Sequence, residues 1–242
     1  MSSAGCSPTE LLIFTLAGLL RDCRHVVVGA SSPIPGSAAL LARAWSGGRL
    51  RVNVLGSQQH NSFTNGGVET FDMAAQGRID AFFLGGGQID GEANINLVGT
   101  GHYPDGPVRW PGSFGSSYLY FLVPRVILFR EEHTRRVFVP KVDFVSAPGW
   151  SPPEVYRPGG PSKLVTGRAV FVFERAQRRF RLESVHPGHS AEEIRENTGF
   201  DYVAPDVVPV TPEPDAATLA LLRGRIRSEI AETYPRFAAR WP

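Results

Sequence analysis

Six polar side chains follow one another directly after an apolar run: Ser57, Gln58, Gln59, His60, Asn61 and Ser62, within "VLGSQQHNSF" (54–63). Amides and hydroxyls of this kind donate and accept hydrogen bonds, and an imidazole can move a proton near neutral pH. The stretch holds neither a carboxylate nor a thiol, so the usual acyl-accepting nucleophiles are missing from a segment otherwise suited to line a site. His60 is the local acid/base candidate, set against the ordinary role of a lone histidine as a hydrogen-bonding loop residue.

Two glycine-rich segments add a second kind of chemistry. "GGGQIDGEANIN" (85–96) leaves an apolar run, and "PGSFGSS" (111–117) follows it. Glycines there let backbone N–H groups approach a ligand and stabilise a phosphate or a developing oxyanion. Gly86, Gly87, Gln88, Gly112, Ser113, Phe114 and Gly115 are the candidates. Neither segment fits a dinucleotide or P-loop fingerprint, and a pair of tight turns explains the same glycines. Asp90, Asn94 and Asn96 either fix that loop against a ligand or cap its backbone. His102 lies among turn formers.

No metal is expected: His25, His133, His186 and His189 lack ligand spacing, as do Cys6 and Cys23. "FREEHTRR" (129–136) reads as a solvated turn laced with ion pairs, or as a subunit interface. Arg175, Arg178, Arg179 and Arg181 read as a solvent-facing turn, or as a cluster that could attract phosphates.

Elements must position these groups. Ser7, Pro8 and Glu10 form a capping-box start for a helix running to about Cys23. "HVVVGA" (25–30) is a strand covered on both faces. Helix is expected at 36–45, strand at 50–56, helix at 67–77 and strand at 79–86. This alternation predicts an α/β fold, an open, mostly parallel sheet with helices on both faces, in a single domain over residues 1–242. Ligands in such sheets bind beyond the carboxyl ends of the strands, which singles out the loops after Val28, Leu55 and Leu84. Beyond Gly115 shorter strand-like pieces are expected, "YLYFLV", "RVILFRE" and "RRVFVPKVDFV", then a hairpin over 169–188. A C-terminal helix from about Asp215 to Ala231 carries Leu219, Leu222, Ile226 and Ile230 on one stripe.

Composition sets outer bounds. The 25 Lys+Arg against 23 Asp+Glu are spread along the chain, which argues against a nucleic-acid footprint. The apolar stretch at 11–20 is too short for a membrane span and reads as a core helix. Two cysteines do not make a disulfide scaffold, and a reducing cytoplasm fits them.

The order "VLGSQQ", "GGGQIDGEANIN", "PGSFG" resembles the β subunit of family I CoA transferases, in the glutaconate CoA-transferase branch, over about residues 7–148. There the glycine loop reads much like G-G-A-Q-V-D-x-x-G-N-I-N. The resemblance implies a CoA-transferase-like α/β fold and an acyl-CoA substrate, with CoA part of the substrate and no separate cofactor. In active transferase β subunits the strand corresponding to "NVLGS" is followed by a glutamate, typically within S-E-N-G, whose carboxylate attacks the acyl-CoA. Here Gln58 stands in that place, or Gln59 if the alignment slips by one. An amide has no full charge and a delocalised lone pair, so that covalent route is closed. The nearest downstream carboxylate, Glu69, falls inside an expected helix.

Relatives with this substitution resemble the ring-opening CoA hydrolases of bacterial steroid catabolism. That implies hydrolytic carbon–carbon cleavage of a cyclic β-keto acyl-CoA by an α2β2 heterotetramer. The α subunit would supply an acid/base glutamate, and Gln58, Gln59, His60 and Asn61 with the glycine loops would shape the pocket. A CoA transferase is the alternative. A ligand-sensing domain, as in sugar-responsive regulators, is weaker because no helix-turn-helix precedes Ser7.

Overall fold

The structure, a computed structural model, describes residues 5–241. The chain divides into two compact units, 1–83 with 212–242, and 84–211. The fold is α/β, and its principal strands are mostly parallel.

In the first unit, Ser7 caps α1 (Pro8–Gly18). Its hydroxyl accepts from the Glu10 N–H, and the Glu10 carboxylate accepts from the Ser7 N–H. The helix ends at Gly18 rather than near Cys23. Leu19, Leu20 and Cys23 donate to carbonyls three residues back, so the chain tightens into turns after the glycine.

Strand β1 (His25–Val28) is buried along its whole length, as a strand flanked on both edges should be. It pairs in parallel with β2 (Arg51–Val54) on one side and with β3 (Ala81–Leu84) on the other. The strand order β3-β1-β2 makes the carboxyl end of β1 a switch point. Helices α2 (Pro33–Trp45) and α3 (Gly66–Ala75) connect these strands.

The second unit opens with the glycine loop and its short pieces β4 (Gln88–Ile89), β5 (Ile95–Asn96), β6 (Gly99–Thr100) and β7 (Val108–Arg109). "YLYFLV" is not a strand. Helix α4 (Ser116–Leu122) takes it, and its buried residues Leu119, Tyr120 and Val123 follow helical rather than alternating spacing. Packing has overridden the β-propensity of its aromatics, with the Tyr120 hydroxyl donating to the buried Ala93 carbonyl. "RVILFRE" does form β8 (Arg125–Arg130).

"RRVFVPKVDFV" forms no extended strand. It meets the glycine loop through one isolated bridge, Ile89 to Phe138, and Pro140 lacks the N–H that further pairing would need. Strand β9 (Pro161–Thr166), hidden in a proline- and glycine-rich stretch, runs parallel to β8. The expected hairpin is present as β10 (Ala169–Glu174) and β11 (Arg179–Val185), followed by α5 (Ala191–Asn197).

The chain then returns to the first unit. Asp215 caps α6 (Ala216–Leu221), which passes through a π-helical segment (Leu222–Ile226) into α7 (Arg227–Ala231). Leu222, Ile226 and Ile230 are buried, and Leu219 is half-buried. A last helix, α8 (Pro235–Arg240), follows. Among the described residues no helix is long and apolar enough to cross a membrane.

Candidate functional site

The polar loop begins where β2 ends. Gly56 takes φ +94, a left-handed conformation that a side chain would strain, and this turns the chain so that the Ser57 N–H reaches the Val54 carbonyl at 3.0 Å. The loop then doubles back along β2, and the Val54 N–H donates to the His60 carbonyl at 2.8 Å.

Two anchors hold it. At its base, the Ser57 hydroxyl donates to Glu232 Oε2 at 2.6 Å, and the Gln58 N–H donates to Glu232 Oε1 at 2.8 Å. The Thr233 hydroxyl adds a third bond to this carboxylate at 2.6 Å. Bonds from Ser57, Thr233 and the Gln58 amide hold the Glu232 carboxyl below the ordinary carboxylate range. On the far side, the buried Asn53 amide donates to Asn61 Oδ1 and Ser62 Oγ, both at 3.0 Å, while its oxygen meets His25 Nε2 at 2.9 Å.

The loop's question about a carboxylate is thus answered from 175 residues downstream. Glu232 sits at the backbone of residue 58, but its oxygens are already taken by three donors. It is an anchor, poorly suited to attack or to accept another proton.

His60 is constrained as well. Arg43 Nη2 lies 3.3 Å from its Nδ1 and 3.0 Å from Glu229. Because a guanidinium only donates, Nδ1 must be the acceptor and Nε2 carries the proton. Burial, then the Arg43 charge, pushes the His60 pKa below the ordinary histidine value, against the pull of Glu229 and Glu232. His60 is therefore a neutral N–H donor with the Glu229 backbone as its neighbour, and it does not serve as a ready base.

Asn61 is committed to the fold, whereas Gln58 and Gln59 are exposed and their side-chain amides have no partner among the described residues. These two amides remain available to a ligand. No sequence signal pointed to Glu232, Glu229 or Arg43; the only local trace is the spacing of Glu229 and Glu232, which places both on one helix face.

In the second unit, "GGGQIDGEANIN" is wired into itself. Gln88 is buried, donates to Asp143 Oδ2 at 3.0 Å, and accepts from the Asn96 amide at 2.7 Å and the Asp143 N–H at 3.0 Å. Asp90 accepts from the Glu92 and Asn94 N–H groups and from the Asn94 amide. Burial raises its pKa while the Asn94 bonds oppose the rise. Asp90, Asn94 and Asn96 hold backbone, as their capping chemistry allows.

Gly86 and Gly87 line a cavity of about 570 Å³ with Trp110, Pro111, Arg130 and Arg136. A Cβ at Gly87 would lie 2.3 Å from the Trp110 ring, so the bare backbone is what lets the indole close over it. Gly112 has φ +99 and donates to the Leu97 carbonyl. Phe114 has φ +43 and is 92 % exposed, and Gly115 precedes α4. None of Gly112, Ser113, Phe114 or Gly115 lines the cavity around Gly87.

The remaining charged stretches are internally paired. Glu132 is bridged by Arg130 and, bidentately, by Arg136. Arg175 donates to the carbonyls of Pro124, Gly160 and Pro161, Arg178 lies over the Trp150 ring, and Arg179 and Arg181 pair with Glu174. Among the described residues no group of three or more His, Cys, Asp or Glu could hold a metal ion.

Comparison with known proteins puts this geometry in context. Residues 11–197 match the Coenzyme A transferase family. The chain is 33 % identical over 151 residues to the β subunit of glutaconate CoA-transferase from Acidaminococcus fermentans, covering 60 % of this chain and 56 % of that protein. It is 32 % identical over 159 residues to the cholesterol ring-cleaving hydrolase IpdB subunit of Rhodococcus jostii, covering 64 % and 62 %. The matched region thus spans less than two thirds of the length of these relatives. Among solved structures, the decarboxylase AibA/AibB matches with a TM-score of 0.77 at 25 % identity, covering 96 % of each chain.

Proposed function

The chain belongs to the coenzyme A transferase family, and from that premise we propose that it is the β-type subunit of a two-subunit acyl-CoA hydrolase. Its reaction is the hydrolytic opening of a cyclic β-keto acyl-CoA derived from a steroid ring. Similarity to the ring-cleaving hydrolase subunit supports this reading. The observation that carries it is the lip after β2, where Gln58 presents an amide and the adjacent carboxylate of Glu232 is consumed by three hydrogen bonds.

In this reaction, water adds to the ring ketone. The tetrahedral adduct collapses with cleavage of the bond to the carbon between the carbonyls, giving a carboxylic acid and an enolate that takes up the proton. A base must activate the water, and donors must stabilise the alkoxide and the enolate. Gln58 and Gln59 supply donors that stay neutral. The base comes from the partner α subunit as a glutamate, since His60 is held as an Nε2–H donor.

Transfer of CoA to a free acid is the second reading, favoured by the identity to the β subunit of the glutaconate enzyme. The two readings separate when the enzyme, with its α subunit, turns over a cyclic β-keto acyl-CoA in ¹⁸O-water and is quenched with hydroxylamine. Label in the new carboxylate with no hydroxamate on this chain is the expected result. A hydroxamate on any glutamate of this chain would establish the transferase route.

A further inference from the structure

The buried ring of His25, at the start of β1, meets two oxygens that carry no hydrogen. Its Nδ1 lies 2.9 Å from the Arg78 carbonyl, and its Nε2 lies 2.9 Å from Asn53 Oδ1. The buried His133 differs, because both of its partners are hydroxyls that can turn to donate or to accept.

Turning the Asn53 amide over would remove the conflict, but the polar loop forbids it. The Phe63 N–H donates to Asn61 Oδ1 at 3.2 Å, which fixes the oxygen of that side chain. Asn53 meets the same oxygen at 3.0 Å, so it must present its Nδ2 there, and its own oxygen is left facing the imidazole.

A neutral ring has one N–H and one lone pair. It would set that lone pair against one of the two oxygens and leave buried acceptors unmet. With a proton on each nitrogen, both contacts become charge-assisted hydrogen bonds. Asp80 supplies the counter-charge: its Oδ2 accepts from the His25 N–H at 2.8 Å and from the Arg24 N–H at 2.6 Å. The Arg24 guanidinium shares this carboxylate at 3.3 Å, but from a largely exposed side chain. Arg51, across the β1–β2 register from His25, and Arg78 are exposed as well, so water screens these cations.

We infer that His25 is a positioning residue whose imidazolium form locks the orientation of Asn53, and through it the polar loop that carries Gln58 and Gln59. With both His25 donors in place, a turned Asn53 would set its nitrogen against an N–H on one side and its oxygen against Asn61 Oδ1 on the other. The inference rests on the proposed function only for what Gln58 and Gln59 then present to a substrate.

The test begins with the full chain labelled with ¹⁵N-histidine. At pH 7 both ring nitrogens of His25, assigned by their loss in His25→Gln, should give the shifts of protonated nitrogen, whereas His133 should show one protonated and one bare nitrogen. Hydrogen exchange then reads the lock. His25→Phe keeps a ring but removes both donors, so the Phe63 amide should exchange about tenfold faster. The Leu55 amide, bonded to the Val28 carbonyl between β1 and β2, should keep its protection. His25→Gln, which retains a donor for Asn53 Oδ1, should restore part of the protection at Phe63. In an Asn53→Ala background, His25→Phe should add nothing at Phe63.

A bare nitrogen on His25 at pH 7 would overturn the charged lock, and parent-like exchange of Phe63 in His25→Phe would overturn the positioning role. If His25→Phe does not fold, the parent spectrum and the exchange of His25→Gln decide. Neither readout needs substrate, so failure of the hydrolase reading would show separately, as an ordered loop in an enzyme inactive on the cyclic thioester.

Discussion

Residue 58 concentrates the chemistry of this chain. Its backbone N–H already rests on the Glu232 carboxylate at 2.8 Å. A second carboxylate introduced by Gln58→Glu would be set beside an existing negative charge, which favours its protonated form. We therefore expect Gln58→Glu to leave CoA exchange between an acyl-CoA and a free acid at background level, measured by product formation with the partner subunit present. Efficient exchange would show that the pocket needs only a nucleophile. The anchoring role of Glu232 is separable from that question. Glu232→Ala strips the acceptor from Ser57 and Gln58, so hydrogen exchange of the Gln58 amide should accelerate about tenfold or more while the strand amides of β2 keep their protection. Unchanged exchange at Gln58 would mean the loop is held by the Asn53 side alone.

At the scale of elements, close approach rather than composition decides what the glycine loop tolerates. Gly87→Ala must displace the Trp110 indole, at a cost of about 1–3 kcal/mol. The cost should largely vanish when Trp110 is already alanine, a coupling that denaturant melts of the double-mutant cycle can read. Additive losses would place the strain elsewhere. The same scale shows what the sequence carried and where it fell silent. The Ser7 and Glu10 cap, the buried run of β1 and the alternation into β2 and β3 were legible because each is a local pattern enforced by hydrogen bonding or burial. "YLYFLV" was not, because its aromatics suit a strand and only the contacts of Leu119 and Tyr120 select a helix. Strand β9 was hidden behind Pro161, which sits at the strand's first residue where no ladder bond is lost. The polar loop could be located from its residues. Its anchors could not, since Glu232 and Arg43 reach it through tertiary packing that local spacing does not reveal. The loop after β1 is poorly suited to an anion for a reason the sequence does contain: Pro33 and Pro35 remove two of the N–H groups that a helix start would offer.

For the molecule as a whole, stability should depend on pH through histidines that no ligand reading uses. His133 is 3 % exposed, and its two nitrogens meet the hydroxyls of Thr166 and Thr198 at 2.8 and 3.0 Å. His186 meets the Thr211 hydroxyl at 2.9 Å and the Thr166 carbonyl at 3.0 Å. Both are satisfied as neutral rings on polar partners. Burial, then the Arg168 charge, pushes the His133 pKa down to about 4, and burial likewise lowers that of His186. In the unfolded chain these rings take a proton near pH 6.5, so below that value, and for His133 down to about 4, the unfolded state binds more protons than the folded one. Stability in the second unit is accordingly lost as the pH falls below about 6.5, by about 1.4 kcal/mol per pH unit for each such histidine until its folded pKa is reached. Urea melts at pH 7.5 and 5.5 should show the midpoint dropping. His133→Asn, though weaker at pH 7.5 because the Thr198 contact is lost, should show a visibly smaller drop. A variant as pH-sensitive as the parent would move the dependence to the carboxylates. Glu132 and Glu193, whose pKa values are lowered, are the ones to examine; Asp90 is not, because its pKa is raised by burial, so folding gains rather than loses as it protonates.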